Sequence, residues 1–301
     1  MRILVTGGAG FIGSHIVQAY VAAGHDVSVL DDLRTGYRHN IPHGVCLHEM
    51  SLHDPRVVDV LRAQRPEVIN HHAAQIDVRK SVDDPAGDAH CNIVGSVHLF
   101  ECARRAGTKK IIFASSGGAI YGHQDTFPAD ESHPAKPCNP YGIGKFTIEL
   151  YLRYFAATYG LNTVALRYAN VYGPRQNAKG EAGVIAIFAN KLLRGETPTI
   201  NGDGAQTRDY VFVDDVVQCN IAALRPDISG VFNVATGIET SVNELVRFLS
   251  ACVPGCPPPR FGPAQVGEQL RSALTPGRLQ KTRPIVLADG LQKTVEWFHA
   301  Q

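Results

Sequence analysis

The first fifteen residues of this 301-residue chain, MRILVTGGAGFIGSH, constrain its fold more than any other stretch. Arg2 to Thr6 read as a short apolar strand, and GGAGFIG turns the chain into a helix carrying Phe11, Ile12, Ile16, Val17 and Tyr20. Glycine is needed where such a turn is tight, where backbone approaches a pyrophosphate, and where the helix packs close to the strand. Gly8, Gly10 and Gly13 fit GxGxxG, and Gly7, Gly10 and Gly13 also fit GxxGxxG. A helix starting there offers unpaired N–H groups and a positive dipole end to phosphates. A glycine-rich turn can also serve packing alone, but a strand before it, a helix after it and an acid downstream favour dinucleotide binding.

That acid is Asp31. His25 to Leu30 form a second apolar strand, and Asp31 follows it, about 20 residues past the glycines, where a carboxylate can accept from ribose hydroxyls. A 2′-phosphate there would be repelled, which favours NAD over NADP; Arg34 is the nearby cation that argues the other way. The alternative is that Asp31 and Asp32 only open a polar loop. Val45 to Met50, Glu67 to His71 and Lys110 to Ser115 read as the next three strands. A helix opening at Asp54-Pro55 and a long one from Asp88 to Arg105 lie between them. This alternation implies βαβ crossovers and a doubly wound parallel α/β sheet, with ligands bound beyond the carboxyl ends of the strands. Gly7, Asp31, Ala73 and Ser116 all fall there, and Ala73 and Ala74 suit close backbone approach to a cofactor. His71 and His72 are adjacent on a strand and point to opposite faces, which suits loop or core roles better than metal ligation.

The length admits one large domain or two modest ones. A net charge of +1 with scattered basic residues gives no footprint for nucleic acid or a membrane surface. No apolar run reaches the roughly 18–20 residues of a membrane span, and Met1 leads straight into a strand, so a cytoplasmic protein is expected. Seven cysteines suit reduced thiols; Cys252 and Cys256, in CVPGCPPP, lack a second ligand pair and read as a turn, so no metal site is expected.

The chemistry is carried by Tyr141 and Lys145 in NPYGIGKFTIEL. Pro140 places Tyr141 in the first turn of an amphipathic helix, and the i, i+4 spacing puts phenol and ammonium on one face. A phenol with its ordinary pKa near 10 is a poor base at neutral pH; a neighbouring cation favours the phenolate. Chance gives many helices such a pair, but this one follows the strand KIIFAS and the loop SGGAIYG.

Together GGAGFIG, VLDDLRTG, HAAQ, ASSGGAIYG, YGIGK, RYANVYGPRQ and GDGAQTRDYVFVDD resemble the extended short-chain dehydrogenase/reductases, most closely the UDP-glucose 4-epimerase (UDP-galactose 4-epimerase) family. The resemblance covers nearly the whole chain. It implies a Rossmann domain with a smaller mixed α/β substrate-binding lobe, divided as 1–169 with 210–235 and 170–209 with 236–301. It implies catalysis by Ser116, Tyr141 and Lys145, with Ser115 as the alternative hydroxyl because SSGGAIYG is one residue longer than the commoner form. NAD would be held by Gly7, Gly10, Phe11, Ile12, Gly13, Asp31, Asp32, Leu52, Ala73, Ala74, Gln75, Asn92, Ser115, Tyr141, Lys145 and Tyr168. A UDP-sugar would meet Ser116, Tyr141, Asn170, Val184, Thr199, Asn201, Arg208, Arg271 and Ser272.

The implied reaction inverts the sugar's C4 through a 4-keto intermediate with no net redox change. The implied assembly is a homodimer joined by helices near 88–105 and 141–158. Ser51 stands where the family usually has an adenine-binding aspartate, and Gln265 where a phosphate-binding arginine is common. Counting from Gly267-Glu268, Ser272 occupies the gate beside the sugar's C2 substituent, with Arg271 in the gate if the loop shifts; a serine there leaves room for an N-acetyl group. Arg208 could instead pair with Asp209. The acids of a dehydratase TDEVYG loop are absent. Other readings are a UDP-glucuronate 4-epimerase, another nucleotide-sugar reductase or dehydratase, and an NAD-sensing module without catalysis.

Overall fold

The computed structural model describes residues 1–177, 183–264 and 269–301. Gln265 and the Gly267-Glu268 pair lie outside the described residues. In chain order the first half gives β1 (Arg2–Thr6), α1 (Phe11–Ala22), β2 (Asp26–Asp31), β3 (Cys46–Glu49), α2 (Val57–Gln64), β4 (Val68–His71), α3 (Val78–Asp83), α4 (Pro85–Ala89), α5 (Gly95–Ala106), β5 (Lys110–Ser116) and α6 (Gly117–Tyr121). The second half gives α7 (Pro140–Tyr159), β6 (Asn162–Tyr168), β7 (Asn170–Tyr172), α8 (Val184–Leu193), β8 (Thr199–Asn201), β9 (Thr207–Phe212), α9 (Val213–Ala223), β10 (Gly230–Val234), β11 (Glu239–Ser241), α10 (Val242–Cys252), β12 (Arg260–Gly262) and α11 (Leu287–His299).

Seven strands form one parallel sheet in the order β10-β6-β5-β4-β1-β2-β3. Strand residues alternate between two cores. Ile3, Val5, Ile112 and Val164 face α1 and α9, whereas Leu4, Ile69, Ile111 and Phe113 face α2, α5 and α7. Both faces are covered, so the strands are near-continuous apolar runs. The strand order reverses between β1 and β4, which opens a crevice at the carboxyl ends. A third core joins β7 and β9 to α8, α10 and α11, with small sheets β11-β9-β7 and β12-β8. The expected Rossmann sheet with a smaller mixed lobe is what the chain builds.

Two local differences matter for the site. The expected single helix over 88–105 starts earlier, at Pro85, and is interrupted by a π-turn, His90–Val94, between α4 and α5. The wider turn carries Asn92, whose amide is bonded in both directions to the backbone of Gln75; such insertions recur at functional sites. The helix expected from Asp54-Pro55 begins only at Val57, because Asp54 engages Arg56 through its backbone N–H and its guanidinium. Among the described residues no helix is long and apolar enough to cross a membrane.

Candidate active site

The cradle follows from the glycines. Gly7 takes φ +70°, and a Cβ there would lie 2.6 Å from the Ala73 nitrogen. On Gly13 a Cβ would meet the Gly7 carbonyl oxygen at 2.1 Å. Any side chain at either position would push the β1–α1 turn apart. Gly10 caps α1 without a side-chain hydrogen bond, so the first N–H groups of the helix, at Phe11 and Ile12, point into the crevice end of the fold with capacity for an anion. A pyrophosphate fits this donor set, and NAD is the group the cradle would hold.

Asp31 ends β2, buried, and accepts from the N–H groups of Ala9 and Leu33, each at 2.9 Å. Burial raises its carboxyl pKa and the two backbone donors work against that rise. Each oxygen keeps a further lone pair for a ribose hydroxyl. Asp32 is paired with Arg34 at 2.7 Å, so the cation that argued for a 2′-phosphate is engaged. Ser51, His53, Gln75, His90 and Cys91 line a cavity of about 270 Å³ together with Arg34. Leu52 is buried beside it, and its carbonyl accepts from His98 Nδ1 at 2.7 Å.

Tyr141 and Lys145 emerge where expected. Asn139 caps α7 by accepting from the Gly142 N–H at 2.8 Å, Pro140 fills the first turn, and the Tyr141 N–H donates to Ser81 Oγ at 3.2 Å. The Lys145 ammonium is 3% exposed, donates to the Ala114 carbonyl at 2.8 Å, and lies 4.7 Å from the Phe113 ring centroid and 5.7 Å from that of Tyr141. Burial lowers its pKa to about 8, against the opposing pull of Asp88, Cys91 and Glu149. Ser116 ends β5 in register with Tyr168 of β6 and opens α6. Ser115 is spent elsewhere: its hydroxyl donates to Glu149 Oε1 at 2.6 Å inside the core.

His71 and His72 do point apart. His71 bridges Thr6 Oγ1 at 2.7 Å and Ser96 Oγ at 2.8 Å. His72 lies 3.0 Å from the Tyr168 hydroxyl, and burial lowers its pKa to about 3, so it is neutral in the working range. Tyr168 is buried, with its hydroxyl also taken by Asn220 at 2.9 Å.

Among the elements of the third core and the two small sheets, Asn170 lies on β7, Val184 opens α8, and Thr199 and Asn201 lie on β8. Arg208, half-buried on β9, donates from Nη1 to the Thr207 carbonyl at 2.8 Å. Asp209 turns inward to the N–H groups of Thr236, Gly237 and Leu274. Arg271 makes a two-pronged pair with Glu239, at 2.9 and 3.1 Å, and stacks 3.9 Å from the Phe127 ring centroid. Ser272 is buried, with its hydroxyl 3.3 Å from where a Gly118 Cβ would stand, next to the turn that follows Ser116.

Several residues that support the site carry no motif in the sequence. Glu149 and Arg167 form a buried ion pair at 2.7 Å, and Arg167 also donates to the Tyr121 hydroxyl at 3.0 Å. Glu149 stands one turn after Lys145, and Arg167 interrupts the apolar run NTVALRY; a charge inside each buried segment was the available signal. Asp88 is 3% exposed and accepts from Gln75 and Asn92. Nothing in the sequence marks it out from its acidic neighbours.

Residues 3–235 match the model of the NAD dependent epimerase/dehydratase family. The chain is 45% identical to the UDP-glucose 4-epimerase of Mycolicibacterium smegmatis, over 99% of this chain and 98% of that protein. The crystal structure of UDP-glucose 4-epimerase with UDP-glucose from Thermotoga maritima superposes with a TM-score of 0.97 at 44% identity, covering 100% of this chain and 99% of that one. The UDP-glucose 4-epimerase of Thermus thermophilus in complex with NAD gives a TM-score of 0.93 at 41% identity, covering 99% of each.

Proposed function

This chain belongs to the NAD dependent epimerase/dehydratase family, and we propose on that footing that it is an NAD-dependent UDP-sugar 4-epimerase, an isomerase inverting C4 of UDP-glucose and UDP-galactose through a transient 4-keto sugar. The observation that carries this reading is the buried Lys145 ammonium 5.7 Å from the Tyr141 ring, held by the Ala114 carbonyl near the carboxyl end of β5.

In this reading Tyr141 removes the C4 hydroxyl proton, and Ser116 holds the C4 oxygen. NAD, when held by the cradle, would supply the hydride acceptor and donor for C4, and inversion requires the sugar to turn about its link to the diphosphate in between. Lys145 favours the phenolate and donates to the nicotinamide ribose. The cradle Gly7, Gly10 and Gly13, with Phe11 and Ile12, holds the pyrophosphate, and Asp31 and Asp32 take the adenosine ribose. Leu52, Ala73, Ala74, Gln75, Asn92 and Tyr168 complete the wall. Asn170, Val184, Thr199 and Asn201 contact the nucleotide sugar, and Arg208 supplies the cationic fork for its diphosphate. Arg271 joins it on leaving Glu239. Segments 1–169 and 210–235 bind the cofactor, and 170–209 and 236–301 bind the sugar nucleotide.

The reading includes a homodimer. Ile143, Leu150, Tyr151 and Tyr154 form an exposed apolar stripe along α7, with Val94 exposed on the neighbouring π-turn. Light scattering tests this: the native protein should have the mass of two chains and Leu150→Glu that of one, and a monomeric native protein would discard the idea. The seven thiols are all free, which supports a reducing, cytoplasmic setting. The reaction itself is tested by incubating the purified protein with UDP-glucose and UDP-galactose, without added cofactor, and following C4 configuration by NMR. Interconversion is expected. A strict need for stoichiometric NAD⁺, with NADH accumulating, would replace the epimerase by a dehydrogenase.

A further inference from the structure

Glu149 and Arg167 are buried charges without a part in the chemistry above, and their bonds converge on the two sides of Ser116. The pair is two-pronged: Arg167 donates from Nη2 to Glu149 Oε2 at 2.7 Å and from Nε to Oε1 at 3.0 Å, with side chains 7% and 4% exposed. Glu149 Oε1 also accepts from the Ser115 hydroxyl at 2.6 Å, which fixes the residue before Ser116. The third nitrogen of the guanidinium, Nη1, donates to the Tyr121 hydroxyl at 3.0 Å. Tyr121 is fully buried and ends α6, the short helix that Ser116 opens. The direction of that last bond follows from its neighbours. Asn233 Nδ2 faces two carbonyl oxygens, of Ala129 at 3.0 Å and Thr275 at 3.2 Å, so it donates to both. Asn233 Oδ1 is then the acceptor, 2.9 Å from the Tyr121 hydroxyl, and takes its hydrogen. The phenol oxygen is left to accept from Arg167.

We propose that the Glu149–Arg167 pair is a positioning unit of the active site: it holds the backbone of Ser116 from both sides and ties it to the helix that carries Tyr141 and Lys145. This rests on the reading of Ser116, Tyr141 and Lys145 given above. Those three residues come from two elements, the end of β5 and the first turns of α7. Side-chain bonds join the two elements at successive residues of the strand. Lys145 reaches the Ala114 carbonyl at 2.8 Å, and Glu149, one turn further along α7, reaches Ser115. Arg167 brings in the neighbouring strand, where it stands in register with Ser115. Successive strand residues face opposite ways, so Ser115 turns to α7 and Ser116 away from it. The restraint thus falls on the neighbours of Ser116, and its hydroxyl is kept for the substrate. Desolvation offsets most of the attraction within a buried ion pair, which makes such a pair a poor device for stability alone. A rigid guanidinium with three nitrogens engaged is a good one for fixing geometry.

The test replaces both charges at once in the holoenzyme. Glu149→Met with Arg167→Met removes the pair, keeps side chains of similar reach and leaves no charge unpaired; such apolar exchanges are often no less stable than the ion pair they replace. Melting temperature and affinity for UDP, read by calorimetric titration, should stay near native. The kcat for UDP-galactose should fall about 10²-fold, the loss that a displacement of about 1 Å can cause. Tyr121→Phe takes away one hydroxyl and keeps the ring; it should lower kcat with UDP affinity again unchanged, and it supplies the comparison if the double variant does not fold. A pair that only supports the fold would leave turnover intact once the fold is secured, so native kcat in the folded variant overturns the proposal. A fall of UDP affinity in step with kcat does the same. Ser116→Ala, made in the native chain and in the variant, shows where the effect acts. Loss of the serine should cost much less in the variant than in the native chain. Additive losses would put the effect elsewhere and overturn the proposal alone, whereas near-native turnover of Ser116→Ala in the native chain would overturn the role of Ser116 in the reading above, and the proposal with it.

Discussion

Replacing Lys145 by methionine should abolish turnover and at the same time make the cofactor-free protein more stable. Burial brings the lysine from its ordinary 10.5 to about 8, and at about 1.4 kcal/mol per pH unit that gap is a folding penalty of about 3 kcal/mol. Methionine has nearly the same reach and no charge to desolvate. It gives up the bond to the Ala114 carbonyl, which costs about 1 kcal/mol. A net gain of about 2 kcal/mol at pH 7 corresponds to a rise in melting temperature of about 4 °C for a chain of this size. The sign changes with pH in a definite way. Below pH 8 the lysine is protonated in folded and unfolded chains alike, and the penalty is complete. Between pH 8 and 10.5 the folded protein releases the proton and the unfolded chain keeps it, so native stability rises with pH and the advantage of methionine shrinks, to vanish as pH approaches 10.5. Urea unfolding of both proteins from pH 7 to 9.5, with cofactor stripped because a ligand of the native state adds its own stability, measures the difference. A variant no more stable than the native protein at pH 7, or a difference that does not change with pH, refutes the reasoning.

Tyr141→Phe should lower kcat by at least roughly 10²-fold, the lower end for a general base, with nucleotide-sugar affinity nearly intact in a titration; near-normal turnover would remove Tyr141 from the mechanism. Asp31→Ala should weaken NAD binding and reduce discrimination against NADP, more so because it also releases the Ala9 N–H; an unchanged ratio of affinities would show that the ribose is read elsewhere. Ser272→Tyr should remove activity on UDP-N-acetylglucosamine and UDP-N-acetylgalactosamine while sparing the plain sugars, since a phenol beside Gly118 fills the space next to the α6 turn. Equal kcat/KM ratios before and after that change, or rejection of acetylated sugars by the native protein, would show that the gate is another residue.

The sheet was legible because its signal is local and repeated: apolar strands, glycine punctuation and helical stripes agree over the first 168 residues. The first strand was placed to the residue, and Tyr141 with Lys145 stood out because their spacing follows the strand KIIFAS and the loop SGGAIYG. What stayed hidden depends on partners distant in sequence. Asp88 is buried where Gln75 comes to it in space, and the π-turn at Asn92 is set by a bond to a loop that periodicity does not see. Arg271 shows the same limit from the other side: the motif identifies the arginine, but Glu239 and Phe127, far along the chain, decide where its guanidinium rests. The short helices α3, α4 and α6 carry too few residues to show a period at all.

The order in which the sheet is completed has a consequence for synthesis. β6 ends at Tyr168, yet its outer edge is covered only by β10, and the face carrying Val5, Ile112 and Val164 has α1 alone until α9 is made. From Tyr168 to the end of α9 at Ala223 the ribosome adds 55 residues, an interval of roughly 3–11 s at about 5–20 residues per second. For those seconds the emerging chain presents a bare strand edge next to an uncovered apolar face, the combination most prone to pair with a neighbouring chain. Slowed elongation after β6 emerges and before α9 does should therefore lower the soluble yield, whereas a pause of the same length once β10 has left the ribosome should leave it unaffected.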